Sequence, residues 1–222
     1  QVFITERMLT TLSFVTIYRK YKVPLLITCL DMLHFTGGCY FFGDCNRFSV
    51  GCGKCLVLDS DDENDQTHIN YMYKKKVYQE IQYAILCNLY QKKFALKSKL
   101  FNAKNIFTNS IIIDEEKFIP NNKNLCRKHF GIPSKKKFII LSRYEKGLGR
   151  SKGYDHLINI VNIYAEKATK VEFDSSILVL IGSKDEQFLS QIKLETLCLG
   201  RLDLNDLVKC YSAASIFIST SI

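Results

Sequence analysis

The sequence predicts an α/β protein made of two Rossmann-like halves, each with a parallel sheet. Three observations carry that expectation. The apolar runs VPLLITCL (23–30), FIILS (138–142) and SILVLIG (176–182) are short and unalternating, the mark of strands covered on both faces. They are separated by stretches whose apolar residues recur at helical spacing, and strands alternating with helices imply a parallel sheet. Near 120–136 the composition shifts abruptly: IPNNKNLCRKHFGIPSKKK carries two prolines, one glycine and a dense basic run, which reads as a domain boundary. The expected domains are therefore 1–134 and 135–222, a division that 222 residues allow.

The elements follow in order. ERMLTTLSFVTIYRKY (6–21) predicts a helix that feeds the strand at 23–30. Residues 36–66, rich in glycine, cysteine and acids, read as an irregular excursion. From Tyr71 to Phe101 the pattern predicts a helix with Ile81, Ile85, Leu89 and Leu96 among its buried positions. NIFTN and SIII (105–113) suggest a strand and a turn. After FIILS come a glycine-containing loop (143–153), a helix over 154–168 and the strand at 176–182. A helix around DEQFLSQIKLE (185–195), a strand TLCLG (196–200), a helix over 203–214 and a strand SIFIST (215–220) complete the second half. Right-handed crossovers then make it Rossmann-like.

Composition narrows the function. Hydrophobic residues make up 47% and no low-complexity tract is present, so general disorder is excluded. No run of eighteen apolar residues exists, so no membrane-spanning helix is read. No charged n-region and cleavage site frame the first apolar segments, and the cysteine number is odd, which points to a reducing cytoplasm. The formal charge is +9, with lysine runs YKKK (73–76), QKKFALKSK (91–99) and SKKKF (134–138). Such a balance suits polyanions (nucleic acid, phosphorylated ligands, an anionic membrane face), or reflects solvated lysine faces.

Two clusters carry chemistry. Parallel sheets bind ligands beyond the carboxyl ends of their strands. The loop after FIILS holds Arg143, Lys146, Arg150 and Lys152 with Gly147, Gly149 and Gly153, ahead of a helix start: an anion site, or an exposed charged loop. It matches neither GxGxxG nor GxxxxGK[ST], which sets aside the usual dinucleotide and P-loop readings. The second cluster is Cys39, Cys45, Cys52 and Cys55, spaced C-x5-C-x6-C-x2-C among glycines. It fits a structural zinc, free thiols or disulfides, and the zinc reading rests on a long loop with no core of its own.

PLLITCLDMLHFTGGCYFFGDCNRFSVGCGKC (24–55) resembles the N-domain signature of bacterial group 1 retaining glycosyltransferases, in the branch that builds capsular polysaccharides and exopolysaccharides. There a strand ends in His-Asp-Met-Trp and runs into Phe-Thr-Gly-Gly-Cys and a four-cysteine loop. Asp31, Met32, Phe35–Cys39, Gly43–Cys45, Gly51–Gly53 and Cys55 match. KSKLFNAKNIFTNSIIIDEEKFIPNNKNLCRKHFGIP (97–133) is similar to the segment that crosses between that family's domains, with Asp114, Phe118 and Pro120 matching. KGYDHLINIV (152–161) and LGRLDLNDLVKCYSAASIFISTSI (199–222) resemble parts of its nucleotide-sugar domain.

The resemblance implies a GT-B architecture of two facing Rossmann-like domains, both incomplete in this chain. It implies sugar transfer with retention from a nucleotide-sugar to a glycan or lipid-linked acceptor. The basic charge allows peripheral contact with an anionic membrane, and no nucleic-acid partner is expected. Arg143 and Lys152 correspond to the family's donor-diphosphate ligands, and Asp31 to a reaction-side residue. Leu30 stands in place of the family's histidine and Leu33 in place of its tryptophan, with His34 nearby on another residue of the turn. Those departures favour a rival expectation: an inactive or degenerate fragment, at most a zinc-stabilised binding module.

Overall fold

The computed structural model describes residues 10–110, 112–147 and 152–221. It divides into two compact units, Gln1–Ile112 and Ile113–Ile222, so the division falls ahead of the basic 120–136 stretch.

In the first unit, helix α1 (Thr11–Tyr21) ends where Lys22 turns left-handed at φ 53°. Strand β1 (Leu25–Thr28) follows. After an irregular segment come helix α2 (Gln66–Glu80), strand β2 (Tyr83–Cys87), helix α3 (Leu89–Ser98) and strand β3 (Ile106–Thr108). The three strands pair in parallel in the order β1-β2-β3. The single helix expected over 71–101 is thus two helices with a central strand between them. Tyr83-Ala84-Ile85-Leu86-Cys87 is a run that packs best between two neighbours, and Ile85 is fully buried there. Asn88 and Gln91 form a reciprocal capping box that starts α3, a local signal the apolar spacing masks. Leu89 and Leu96, expected inside, are exposed.

The second unit begins with helix α4 (Lys123–His129). Strand β4 (Phe138–Tyr144), helix α5 (Tyr154–Lys167), helix α6 (Lys170–Ser175) and strand β5 (Ser176–Gly182) follow. Helix α7 (Glu186–Leu189), strand β6 (Thr196–Gly200), helix α8 (Leu204–Ala213) and strand β7 (Ile216–Phe217) complete it. All pairings are parallel, in the order β6-β5-β4-β7. Each strand position expected here is present. Helix α6 is an addition, capped by a Thr169–Glu172 box, and α7 is shorter than the 185–195 pattern suggests.

Alternate residues of the central strands point to opposite layers, which explains their unbroken apolarity. Ile139, Leu141, Ile177 and Val179 pack with Cys126 of α4 and Cys210 and Ala213 of α8. Ile140, Leu178 and Leu180 pack with Leu157 and Val161 of α5 and Phe188 of α7. Leu157 and Val161 are fully buried, each stabilising the unit by roughly 1.5–3 kcal/mol. The order places β4 between β5, the strand that follows it, and β7 on its other side, so the connections leave β4 and β7 in opposite directions. That is a topological switch point, where a doubly wound sheet opens a crevice. Among the described residues no helix is long and apolar enough to cross a membrane.

Gly182 closes β5 at φ 110°, and a Cβ there would lie 2.2 Å from the Tyr144 carbonyl oxygen. Gly182→Ala should therefore destabilise the second unit by about 2 kcal/mol or more. Urea unfolding followed by circular dichroism checks this, and an unchanged midpoint would show that the β4–β5 exit tolerates a side chain.

Candidate functional site

The switch point carries a cavity of about 400 Å³, lined by the exit of β4 (Ser142, Arg143, Glu145), by Lys152 and Tyr154, by Tyr211, and by Phe217–Ser221 beyond β7. Three backbone segments meet there and are fixed to one another. Ser142 Oγ donates to the Ile218 carbonyl at 2.8 Å, and Thr220 Oγ1 donates to the Lys152 carbonyl at 2.9 Å. Gly153, the N-cap of α5, holds φ 58°; a Cβ on it would sit 2.2 Å from the Thr220 carbonyl oxygen. Only a glycine lets the helix start approach the β7 exit this closely.

Arg143 and Lys152, the two cations expected to act together, both line this cavity. Lys146 turns away to Asp185 at 3.2 Å, and Arg150 lies outside the described residues. Arg143 is exposed and touches Glu145 loosely, at 3.5 Å. Glu145 is held more closely by Arg201, at 2.7 Å. The Arg201 guanidinium, with Arg143 beside it, keeps the Glu145 carboxyl below the usual range. The sequence reading missed both Glu145 and Arg201. Their signal was present: a carboxylate two residues past a strand-end arginine, and an arginine just after the next strand but one. Arg201 and Arg143 also border an adjoining groove with Ile181 and Leu202, so the site continues along the strand ends.

In the first unit, Asp31 leaves β1 and its Oδ1 accepts the Leu33 N–H at 2.8 Å. It shapes the turn that follows rather than standing free. Beneath that turn lies Lys74, whose buried ammonium donates to the carbonyls of Leu33 and Thr36 at 2.6 and 2.8 Å. Burial lowers its pKa to about 8, against the opposing pull of Cys52 and Asp31. Read as part of a basic run, Lys74 in fact shares a helix face with Tyr71 and Tyr78, three before it and four after. His34 is also buried, with Nδ1 3.3 Å from the Tyr78 hydroxyl, and so cannot take the place of a reaction-side histidine at Leu30.

The structure gives the expected zinc site no support. Among the described residues no three His, Cys, Asp or Glu side chains are placed to hold a metal ion, and Cys39, Cys45, Cys52 and Cys55 are free thiols. They are neighbours nonetheless. Burial first, then Cys55, Cys52 and Cys45, pushes the Cys39 thiol up to about 11, and Cys52 Sγ accepts the Gly37 N–H at 3.2 Å. The loop does have a core of its own, so its order does not require a metal. Phe48 is buried, with Phe42 at 4.6 Å between centroids, and Phe42 meets Phe94 at 5.0 Å. Polar ties add to it: Asp65 accepts N–H groups from Cys55, Thr67 and His68, and Arg47 joins the Gly53 carbonyl and Glu63.

No protein-family model and no curated protein matches the sequence. Solved structures do match in fold. The Anabaena HepE protein, crystallised with UDP and glucose, aligns over 95% of this chain and 50% of its own, with TM-score 0.60 and 11% identity. A sucrose-phosphate synthase from Thermosynechococcus elongatus aligns over 95% of this chain and 53% of its own, with TM-score 0.54 and 16% identity. The chain thus spans about half the length of each. The likeness establishes two Rossmann-like α/β domains of the GT-B type.

His34 supplies a pH test. Burial lowers its pKa from 6.5 to about 4, with Lys74 adding to the effect. Between those values the unfolded chain binds the extra proton, so stability present above pH 6.5 is lost as the pH falls towards 4. The loss is about 3 kcal/mol across the window, at roughly 1.4 kcal/mol per pKa unit. Denaturant titrations at pH 6.5 and 4.5 should show about 2 kcal/mol of it, and His34→Gln should flatten the dependence. An equal slope in the variant would mean that His34 is already charged in the folded core.

Proposed function

We propose that this chain acts in sugar transfer from a nucleotide-sugar, with the donor diphosphate held by Arg143 and Lys152. The observation that supports this most is their joint lining of the cavity at the switch point of the second sheet. A glycosyl–phosphate bond that breaks leaves negative charge on the diphosphate, and fixed cations stabilise it as it develops. Arg143 offers a planar fork to two phosphate oxygens and Lys152 a compact charge beside it. Glu145 does not compete strongly. Its closer partner is Arg201, so Arg143 can turn to a phosphate without leaving a carboxylate unpaired. Tyr211 and Phe217, with ring centroids 5.4 Å apart, give the cavity an apolar wall for the base or sugar.

The acceptor in this reading is a glycan or lipid-linked sugar, the transfer retains configuration, and Asp31 is the reaction-side group of the first unit. A second reading has a specific observation behind it. Leu30, at the family's histidine position, is an exposed apolar residue, and His34 is committed to the core. That favours a unit that binds nucleotide-sugars without transferring them.

Calorimetric titration of the chain with UDP, GDP and ADP tests the shared part of both readings. Binding of at least one is expected, weakened about tenfold or more by Arg143→Ala or Lys152→Ala, as loss of a charged hydrogen bond requires. Affinity unchanged by both substitutions would overturn the diphosphate assignment. Product formation from labelled donors, abolished by Asp31→Asn, would decide for transfer. Binding without any product would decide for the second reading.

A further inference from the structure

The opposite end of the second unit carries a second basic concavity. A groove of about 530 Å³ lies where the chain leaves α4 and enters β4, bordered by Arg127, Lys128, Ile132, Pro133, Lys136 and Lys137. From Lys117 to Tyr144 the sequence contains no aspartate or glutamate. The length of β4, seven residues, separates this groove from the switch-point cavity, about 20 Å at the usual strand rise. It is therefore no part of the site already described.

Arg127 distinguishes the groove from an ordinary solvated lysine face. Four of the five described arginines, Arg19, Arg47, Arg143 and Arg201, bind carboxylates. Arg127 has no carboxylate partner among the described residues. Its Nε donates to the Ala213 carbonyl at 3.0 Å and its Nη2 to Ser215 Oγ at 3.2 Å. The guanidinium is half-buried and held in one orientation by the last carbonyl of α8 and a hydroxyl, with no carboxylate to neutralise it. Lys136 plays a different part. Its buried ammonium is committed to the carbonyls of Asp174 and Ser176 and to Glu195, so it braces the floor. Lys128 and Lys137 are exposed at the rim, with no ion pair among the described residues.

We propose that this groove is a second anion site that takes a phosphate group, with Arg127 as its fixed ligand and Lys128 and Lys137 as its mobile ones. A guanidinium oriented in advance loses little freedom when it binds, and its free edge suits a tetrahedral oxyanion better than a point charge would. The flanking lysines add attraction that salt weakens. The same phosphate chemistry can come from a soluble phosphorylated compound or from a lipid headgroup.

The test uses the full chain carrying Arg143→Ala and Lys152→Ala, so that the switch-point cavity is silent. Inorganic pyrophosphate is titrated by calorimetry. In parallel, phosphatidylcholine vesicles with and without one-third phosphatidylglycerol are tested by co-sedimentation. Binding is expected in at least one arm, reduced about tenfold by Lys128→Ala with Lys137→Ala, two exposed positions that leave the fold intact, and again by Arg127→Gln. Pyrophosphate binding identifies a soluble ligand; binding only to vesicles with the anionic lipid identifies a headgroup. Absence of binding in both arms, or binding that the lysine pair does not affect, would overturn the proposal.

Discussion

The candidate site depends on one steric allowance. Gly153 has no side chain, so the start of α5 can lie against the segment beyond β7, where Thr220 Oγ1 reaches back to the Lys152 carbonyl. Parallel strands at a switch point diverge towards their connections, and the crevice between them keeps a shape only if something ties its walls. Here the ties are Ser142 to Ile218 on one side and Thr220 to Lys152 on the other. Lys152 is thereby carried to the cavity by backbone geometry, and Arg143 by its place near the end of β4. Two cations at opposite ends of one strand-to-helix loop end on one concave surface.

The electrostatics follow from that placement. Three cations and one carboxylate meet around the strand ends, and the carboxylate is shared unequally between Arg201 and Arg143. The closer pair holds Glu145 charged, while the looser one leaves Arg143 able to exchange partners. A site arranged this way keeps its carboxylate paired, retains excess positive charge when empty and still presents a guanidinium to an arriving anion. The first unit solves a different problem. Its long loop must be ordered above the exit of β1, and Lys74 does so from below by binding two carbonyls of the turn. A buried ammonium is costly unless saturated, and its acceptors are backbone groups that cannot be mutated away.

Much of this was legible in the residues, unevenly. Buried parallel strands announce themselves by continuous apolarity, so the runs at 23–30, 138–142 and 176–182 stand as strands in the structure. Cations in a glycine-containing loop after such a strand, Arg143 and Lys152, do meet at one cavity. What failed had physical causes. Between two helices, β2 looked helical because its apolar residues happened to continue the spacing of α2, and only the Asn88 cap marked the break. Lys74 was hidden inside a run of lysines whose other members, Lys75 and Lys76, are half-buried and exposed. The cysteine loop looked coreless because its stabilising rings, Phe42, Phe48 and Phe94, come from both the loop and a distant helix. Pairings made across such sequence distances leave no local periodic trace.

A crystal structure of this chain grown with a nucleoside diphosphate tests most directly whether Arg143 and Lys152 hold the diphosphate. Phosphate oxygens are expected within hydrogen-bond reach of both Arg143 and Lys152, with Arg143 turned from Glu145 and the Glu145–Arg201 pair intact. A diphosphate bound with neither cation in contact, or bound elsewhere while Arg143 stays on Glu145, would contradict that role.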